Sequence, residues 1–276
     1  MMKKKNQLFY LKLVKNFYAK FKKVKYHSSF DTPVYLAAVS GDSIGENILN
    51  KIIGYKNSIL KKLLINLKDC FYAMNFSTFK IKRNKNYFSN NYKNIVITWA
   101  FKKDFNKDGS LFDYHLNINS KNVNKTLWFV IYLDKKFPNK IKNNLFLFQP
   151  ISKKSYNILE IFKIVYKNIK YIFINVDYFL MKISNYENIS KKISKFFFHN
   201  LKENIEKILI LYEGQPFQSE ILRLAKSKYK IKTIGYVHGA PVAFPSNYIK
   251  KKFSPDIVYL TGKDQLYTFS KLGWKK

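Results

Sequence analysis

Apolar residues run almost unbroken through three late stretches, ILILYEG at 208–214, IKTIGYVHGAP at 231–241 and DIVYLTG at 256–262, and each run ends in polar residues or glycine. Apolar runs of that length, bounded by turn residues, predict buried strands. A helical pattern over residues 218–228 separates the first two, and the last is followed by another over 263–272. Together they predict one edge of an α/β sheet. In such sheets ligands gather at the carboxyl ends of the strands, so Glu213, His238 and Gly239 stand where chemistry is expected.

The same alternation extends upstream. PVYLAAVS at 33–40 predicts a strand, followed by the turn Gly41-Asp42-Ser43-Ile44-Gly45 and a helix from Glu46 through about Leu67. NIVITWAF at 94–101, TLWFVIYLD at 126–134 and residues 145–149 predict three more strands, with a polar excursion over 102–124 between the first two. Helices are expected at about 156–168 and 187–206, and the segment 171–181 between them fits either pattern. Strands separated by helices imply a mostly parallel, Rossmann-like α/β sheet flanked by helices. The predicted organisation is one such domain over residues 31–276 behind a separate helix at 1–30.

That first segment is a basic amphipathic pattern: Phe9, Leu13, Phe17 and Phe21 recur at four-residue spacing with lysines between them. Such a helix either lies on an anionic bilayer or packs on the domain with its lysines in water. Lysines interrupt every apolar stretch there and no small-residue cleavage site follows, so no secretory signal is expected. The later apolar region 157–183 carries Glu160, Lys163, Lys167, Lys170 and Asp177, which argues against a membrane span.

Charge changes the picture less than its size suggests. Against 17 Asp+Glu the chain has 51 Lys+Arg, a net charge of +34, yet Arg83 and Arg223 are its arginines. Base-specific readers of nucleic acid depend on the bidentate guanidinium, whereas lysine is a hydrated point charge that follows phosphate. Sequence-specific nucleic acid is therefore not an expected partner. The abundance of Lys, Asn, Ile, Phe and Tyr together is what AT-rich coding produces, but the positive field still attracts anionic lipids or phosphorylated substrates. The one cysteine, Cys70, excludes an intrachain disulfide framework and fits a reducing cytoplasm.

Among candidate motifs, Gly41, Asp42, Ser43 and Gly45 lie between a strand and a helix, where backbone N–H groups can hold an anion or the side chains can simply cap the helix. The loop lacks both the dinucleotide fingerprint and the Walker pattern. His238 follows an apolar strand and precedes Gly239 and Pro241, which suits a general base or a histidine bonded in a turn. Glu213, followed by Gly214 and Gln215, can orient that histidine, act as base, bind an acceptor hydroxyl or cap the next helix. His27, His115 and His199 lack such context and read as structural. Asp104, Asp108 and Asp113 lack the spacing of a calcium loop, and Asp108-Gly109 predicts a hairpin turn. No metal is expected.

YEGQPFQSEI, IGYVHGAP and SPDIVYLTGKDQLYTFSKLGW, within residues 211–273, resemble the end of the N-terminal half of GT-B glycosyltransferases that build bacterial capsules and other surface polysaccharides. CDP-glycerol glycerophosphotransferases are similar at the strand followed by HG, a small residue and proline. The resemblance implies His238 as base, Glu213 as orienting or acceptor-binding carboxylate, and Gly239, Gln215 and the Gly41 to Gly45 turn as substrate-binding positions. It implies a nucleotide sugar as substrate, a carbohydrate or lipid-linked acceptor and no further cofactor. The location expected is cytoplasmic, with attachment to the inner membrane face as the added role of residues 1–30. Such enzymes have a second, donor-binding half, and none follows before Lys276, so the sequence is expected to be a fragment, a half-enzyme with a separate C-terminal partner, or a remnant. The alternative function is a noncatalytic basic module for nucleic acid or an anionic membrane surface.

Overall fold

The computed structural model describes residues 76–84, 91–152, 158–173, 179, 185–201, 204–239, 248, 250 and 252–275. The expected helix at 1–30, strand at 33–40, turn at 41–45 and helix at 46–67 lie outside the described residues, as does the domain boundary near residue 31. In chain order the elements are β1 (Phe76–Arg83), β2 (Asn94–Ala100), β3 (Phe112–Asp113), β4 (Ile118–Asn119), β5 (Thr126–Tyr132), β6 (Leu145–Ser152), α1 (Ile158–Asn168), α2 (Asn185–His199), β7 (Lys207–Leu211), α3 (Pro216–Ser227), β8 (Lys232–Val237), β9 (Ile257–Leu260) and α4 (Gln265–Lys271).

Seven strands form one sheet in the order β1-β6-β5-β2-β7-β8-β9. All neighbours are parallel except β1, which pairs antiparallel with β6. The α/β class and mostly parallel sheet are therefore as expected. Both faces of the central strands are buried, which is why their sequences read as continuous apolar runs. Ile95, Ile97, Leu127, Phe129, Ile131, Phe146 and Phe148 face a core shared with Ile193 and Phe197 of α2 and with Ile221 and Leu222 of α3. Val96, Trp128, Val130, Tyr132, Leu145 and Leu147 face the opposite side. Leu111 and Ile141, from the connections on either side of β5, join them there. Among the described residues the second face is covered by these irregular connections, not by helices.

Two expectations need correction, and one strand is new. β9 is not a buried strand: among the described residues it is the sheet edge, bonded to β8, and Tyr259 is 53% exposed. The helix expected to reach residue 206 ends at His199, because Glu206 N–H already donates to Lys93 O at 2.8 Å and draws the chain into the sheet beside β2. β1 is an additional strand, an edge that alternates with lysines and pairs with β6 through a register shift. The Asp108-Gly109 turn exists as expected, in a short form closed by the bridge Phe105↔Leu111. Gly109 has φ +81°, and a Cβ there would meet the Ile141 backbone N at 2.9 Å, so glycine is required. Among the described residues no helix is long and apolar enough to cross a membrane.

The outer strands are tied to α3 by one carboxylate. Asp256 Oδ2 accepts from Thr233 N–H and from the Thr233 hydroxyl, both at 2.8 Å, while Oδ1 pairs with Lys226 at 2.7 Å. Burial alone would raise the Asp256 pKa, but the bonds from Lys226 and Thr233 outweigh it and hold the group below its ordinary 3.8. A folded-state pKa below the unfolded one gives stability that is present above the unfolded value and is lost as pH falls through the folded one. Asp256→Asn is therefore expected to cost about 1 kcal/mol at pH 7. Urea unfolding at pH 7 and pH 3 tests this: the gap between variant and wild type should shrink in acid, and an undiminished gap would reject the ionic contribution.

Candidate active site at the sheet switch point

The chain proceeds from β2 to β5 and β6 on one side and to β7, β8 and β9 on the other. The order therefore reverses between β2 and β7, and a crevice at such a reversal is the usual ligand site of an open parallel sheet. Leu211 is level with Tyr236, so Glu213 and His238 leave the sheet at the same height on adjacent strands. His238 Nε2 lies 3.6 Å from Glu213 Oε1, with 23% and 35% of the two side chains exposed. That separation is too long for a hydrogen bond but close enough for strong electrostatic coupling.

Glu213 is held by its own loop. Gly214, with φ +71°, turns the chain, and Pro216 opens α3. The buried Gln218 reaches back from α3: its Oε1 accepts from Glu213 N–H at 3.0 Å and Gln215 N–H at 3.1 Å, and its Nε2 donates to Leu211 O at 2.6 Å. Gln215 Nε2 donates to Glu213 Oε2 at 2.7 Å, which leaves Oε1 turned toward His238. Glu213 is thus fixed with one oxygen facing His238, and Gln218, unremarked in the sequence, ties the helix start to the loop.

His238 has a second imidazole beside it. The ring of His115 lies 4.3 Å from that of His238, centroid to centroid, at 62°. Asp113 holds that turn in place: Oδ1 accepts from His115 N–H at 2.9 Å and Leu116 N–H at 3.0 Å, while Oδ2 accepts from the Thr98 hydroxyl of β2 at 2.5 Å. The structure thus moves His115 from a structural role into the candidate site. Its 123-residue separation from His238 left no local signal; the nearest available hint was Thr98, a hydroxyl within the largely apolar strand NIVITWA.

Burial lowers the His238 pKa most, His115 lowers it further, and Glu213 and Asp113 pull the other way. The net direction is downward from 6.5, so the ring is neutral at pH 7. Nδ1 is buried without a hydrogen-bond partner, which leaves Nε2, beside Glu213, as the nitrogen able to meet a substrate. On the far side Tyr248 is pushed up to about 12, first by burial and then by the charge of Glu213. A neutral Nε2 and a carboxylate oxygen side by side are two acceptors suited to the neighbouring hydroxyls of a sugar or polyol.

The remaining predicted site residues divide. Gly239 O accepts from Gln265 Nε2 at 3.2 Å, and among the described residues nothing lies within 4 Å of where a Cβ would stand. Gln215 supports Glu213. Gly41, Asp42, Ser43 and Gly45 lie outside the described residues. Asp104, Asp108 and Asp113 are engaged separately by Phe101 N–H, Ser110 and the Thr98–His115 turn. Among the described residues no group of three or more His, Cys, Asp or Glu is placed to hold a metal ion.

No protein-family model, curated protein or solved structure matches the chain.

Proposed function

We propose that this chain is the acceptor-side α/β domain of a glycosyltransferase of cell-surface carbohydrate synthesis, in which His238 removes the proton from an attacking hydroxyl. The observation that supports it most is a neutral, partly exposed imidazole beside an oriented carboxylate at the carboxyl edge of β7 and β8. The likeness of IGYVHGAP to the glycosyltransferase motif agrees with that role. In the step, the acceptor O–H proton passes to His238 Nε2 as the oxygen forms its bond to the anomeric carbon of the nucleotide sugar. The bond from that carbon to the diphosphate breaks and its electron pair leaves with the nucleotide. Glu213 stabilises the imidazolium that results.

The reading places the chain in the cytoplasm, where residues 1–30 can hold it to the inner membrane face. Its test is transfer of label from a panel of nucleotide sugars to saccharide and lipid-linked acceptors by the full chain. Label in an acceptor product supports it. Absence of transfer, together with binding to anionic vesicles or DNA that falls steeply with salt, would replace it with the basic-module reading.

A further inference from the structure

A second hollow lies on the same edge, across β2 from the histidine pair. Ala100 and Tyr132 are level on β2 and β5, and the chain leaving them forms an open hollow of about 610 Å³, lined among the described residues by Phe101, Lys102, Lys103 and Asp134. Phe101 is 44% exposed although it directly follows a buried strand, and the next residue after β5, Leu133, is 45% exposed. The floor is fixed by backbone bonds: Lys102 N–H donates to Asp134 Oδ2 at 2.6 Å and Phe101 N–H donates to Asp104 Oδ2 at 2.7 Å. Lys103 Nζ lies 5.8 Å from the centre of the Phe101 ring. Among the described residues neither lysine ammonium has a carboxylate partner.

From these groups we infer a binding site for a phosphate-bearing saccharide, the anionic part of the acceptor. An exposed ring accepts the apolar face of a sugar, two ammonium groups with no carboxylate partner among the described residues suit a phosphate, and the second oxygen of Asp134 accepts a sugar hydroxyl. Adjacent strands are about 4.8 Å apart, so the ends of β2 and β8 are separated by roughly 10 Å. A phosphate-bearing saccharide longer than one sugar, held at Lys102, Lys103 and Asp134, is long enough to span from this hollow to Glu213 and His238. As an acceptor subsite the assignment rests on the transferase reading, but the binding itself does not.

Calorimetry on the full chain tests it with glucose 1-phosphate, glucose, inorganic phosphate and uridine monophosphate as probes. Glucose 1-phosphate should bind more tightly than either glucose or inorganic phosphate, and Phe101→Ala and the double variant Lys102→Ala with Lys103→Ala should each weaken it about tenfold. Inorganic phosphate binding as well as the sugar phosphate, unchanged affinity in both variants, or tighter binding of uridine monophosphate would each overturn the assignment. Normal binding in a chain that transfers nothing would reject the transferase and keep the site. Transfer that the Phe101 and lysine variants leave untouched would do the reverse.

Discussion

His238→Ala is expected to lower the rate of sugar transfer by about 10²–10⁴-fold, the usual worth of a positioned general base, while changing the thermal midpoint by only a few degrees. The side chain is partly exposed and its Nδ1 has no hydrogen bond to lose, so little of the fold depends on it. The pH profile carries the sharper test. Only neutral imidazole accepts a proton, so kcat/KM should rise with pH and level off once the depressed pKa of His238 is passed, below 6.5. His115 contributes to that depression, so His115→Gln should move the acid limb to higher pH. Glu213 acts in the opposite direction, and Glu213→Gln should move the limb lower. Full activity in His238→Ala would end the base assignment, and a limb that stays fixed in both neighbouring variants would show that another group sets it.

Legibility of this chain followed how local its signals are. The strands β5, β7 and β8 were visible because a parallel sheet buried on both faces forces consecutive apolar residues, and the switch from apolar to polar marked Glu213 and His238 at their ends. β9 has the same kind of sequence but half the neighbours: an edge is a property of the whole sheet, not of DIVYL. β1 was invisible for the complementary reason, since Lys80 and Lys82 interrupt its apolar run and among the described residues it pairs with β6 alone. The missing half of the candidate site, His115 with Asp113, lies in a stretch with no period at all, and its anchor Thr98 lies in β2. Its geometry is written in side-chain hydrogen bonds between residues far apart, and no spacing rule detects those.

Those bonds also give the second large effect. Strands β3 and β4 have two residues each, and two ladder pairs cannot hold a ribbon against the loss of chain entropy. Side chains supply what the ladder lacks: Ser120 Oγ accepts from Leu111 N–H at 2.9 Å, Asn144 Nδ2 donates to Ser120 O at 2.8 Å, and Asp113 fastens the ribbon to β2 through Thr98. Asp113 is 3% exposed and meets three donors, so Asp113→Ala leaves two backbone N–H groups and a hydroxyl without their acceptor. The expected loss is about 3 kcal/mol, at roughly 1 kcal/mol or more for each stranded donor. Denaturant unfolding measures it directly. Asparagine keeps an oxygen for His115 and Leu116, and its amide can donate to a Thr98 hydroxyl that rotates to accept, so Asp113→Asn should cost about 1 kcal/mol or less. An alanine variant as stable as wild type would show that the ribbon does not depend on this anchor. Asparagine as damaging as alanine would show that the charge, not the pattern of donors, fixes His115 against His238.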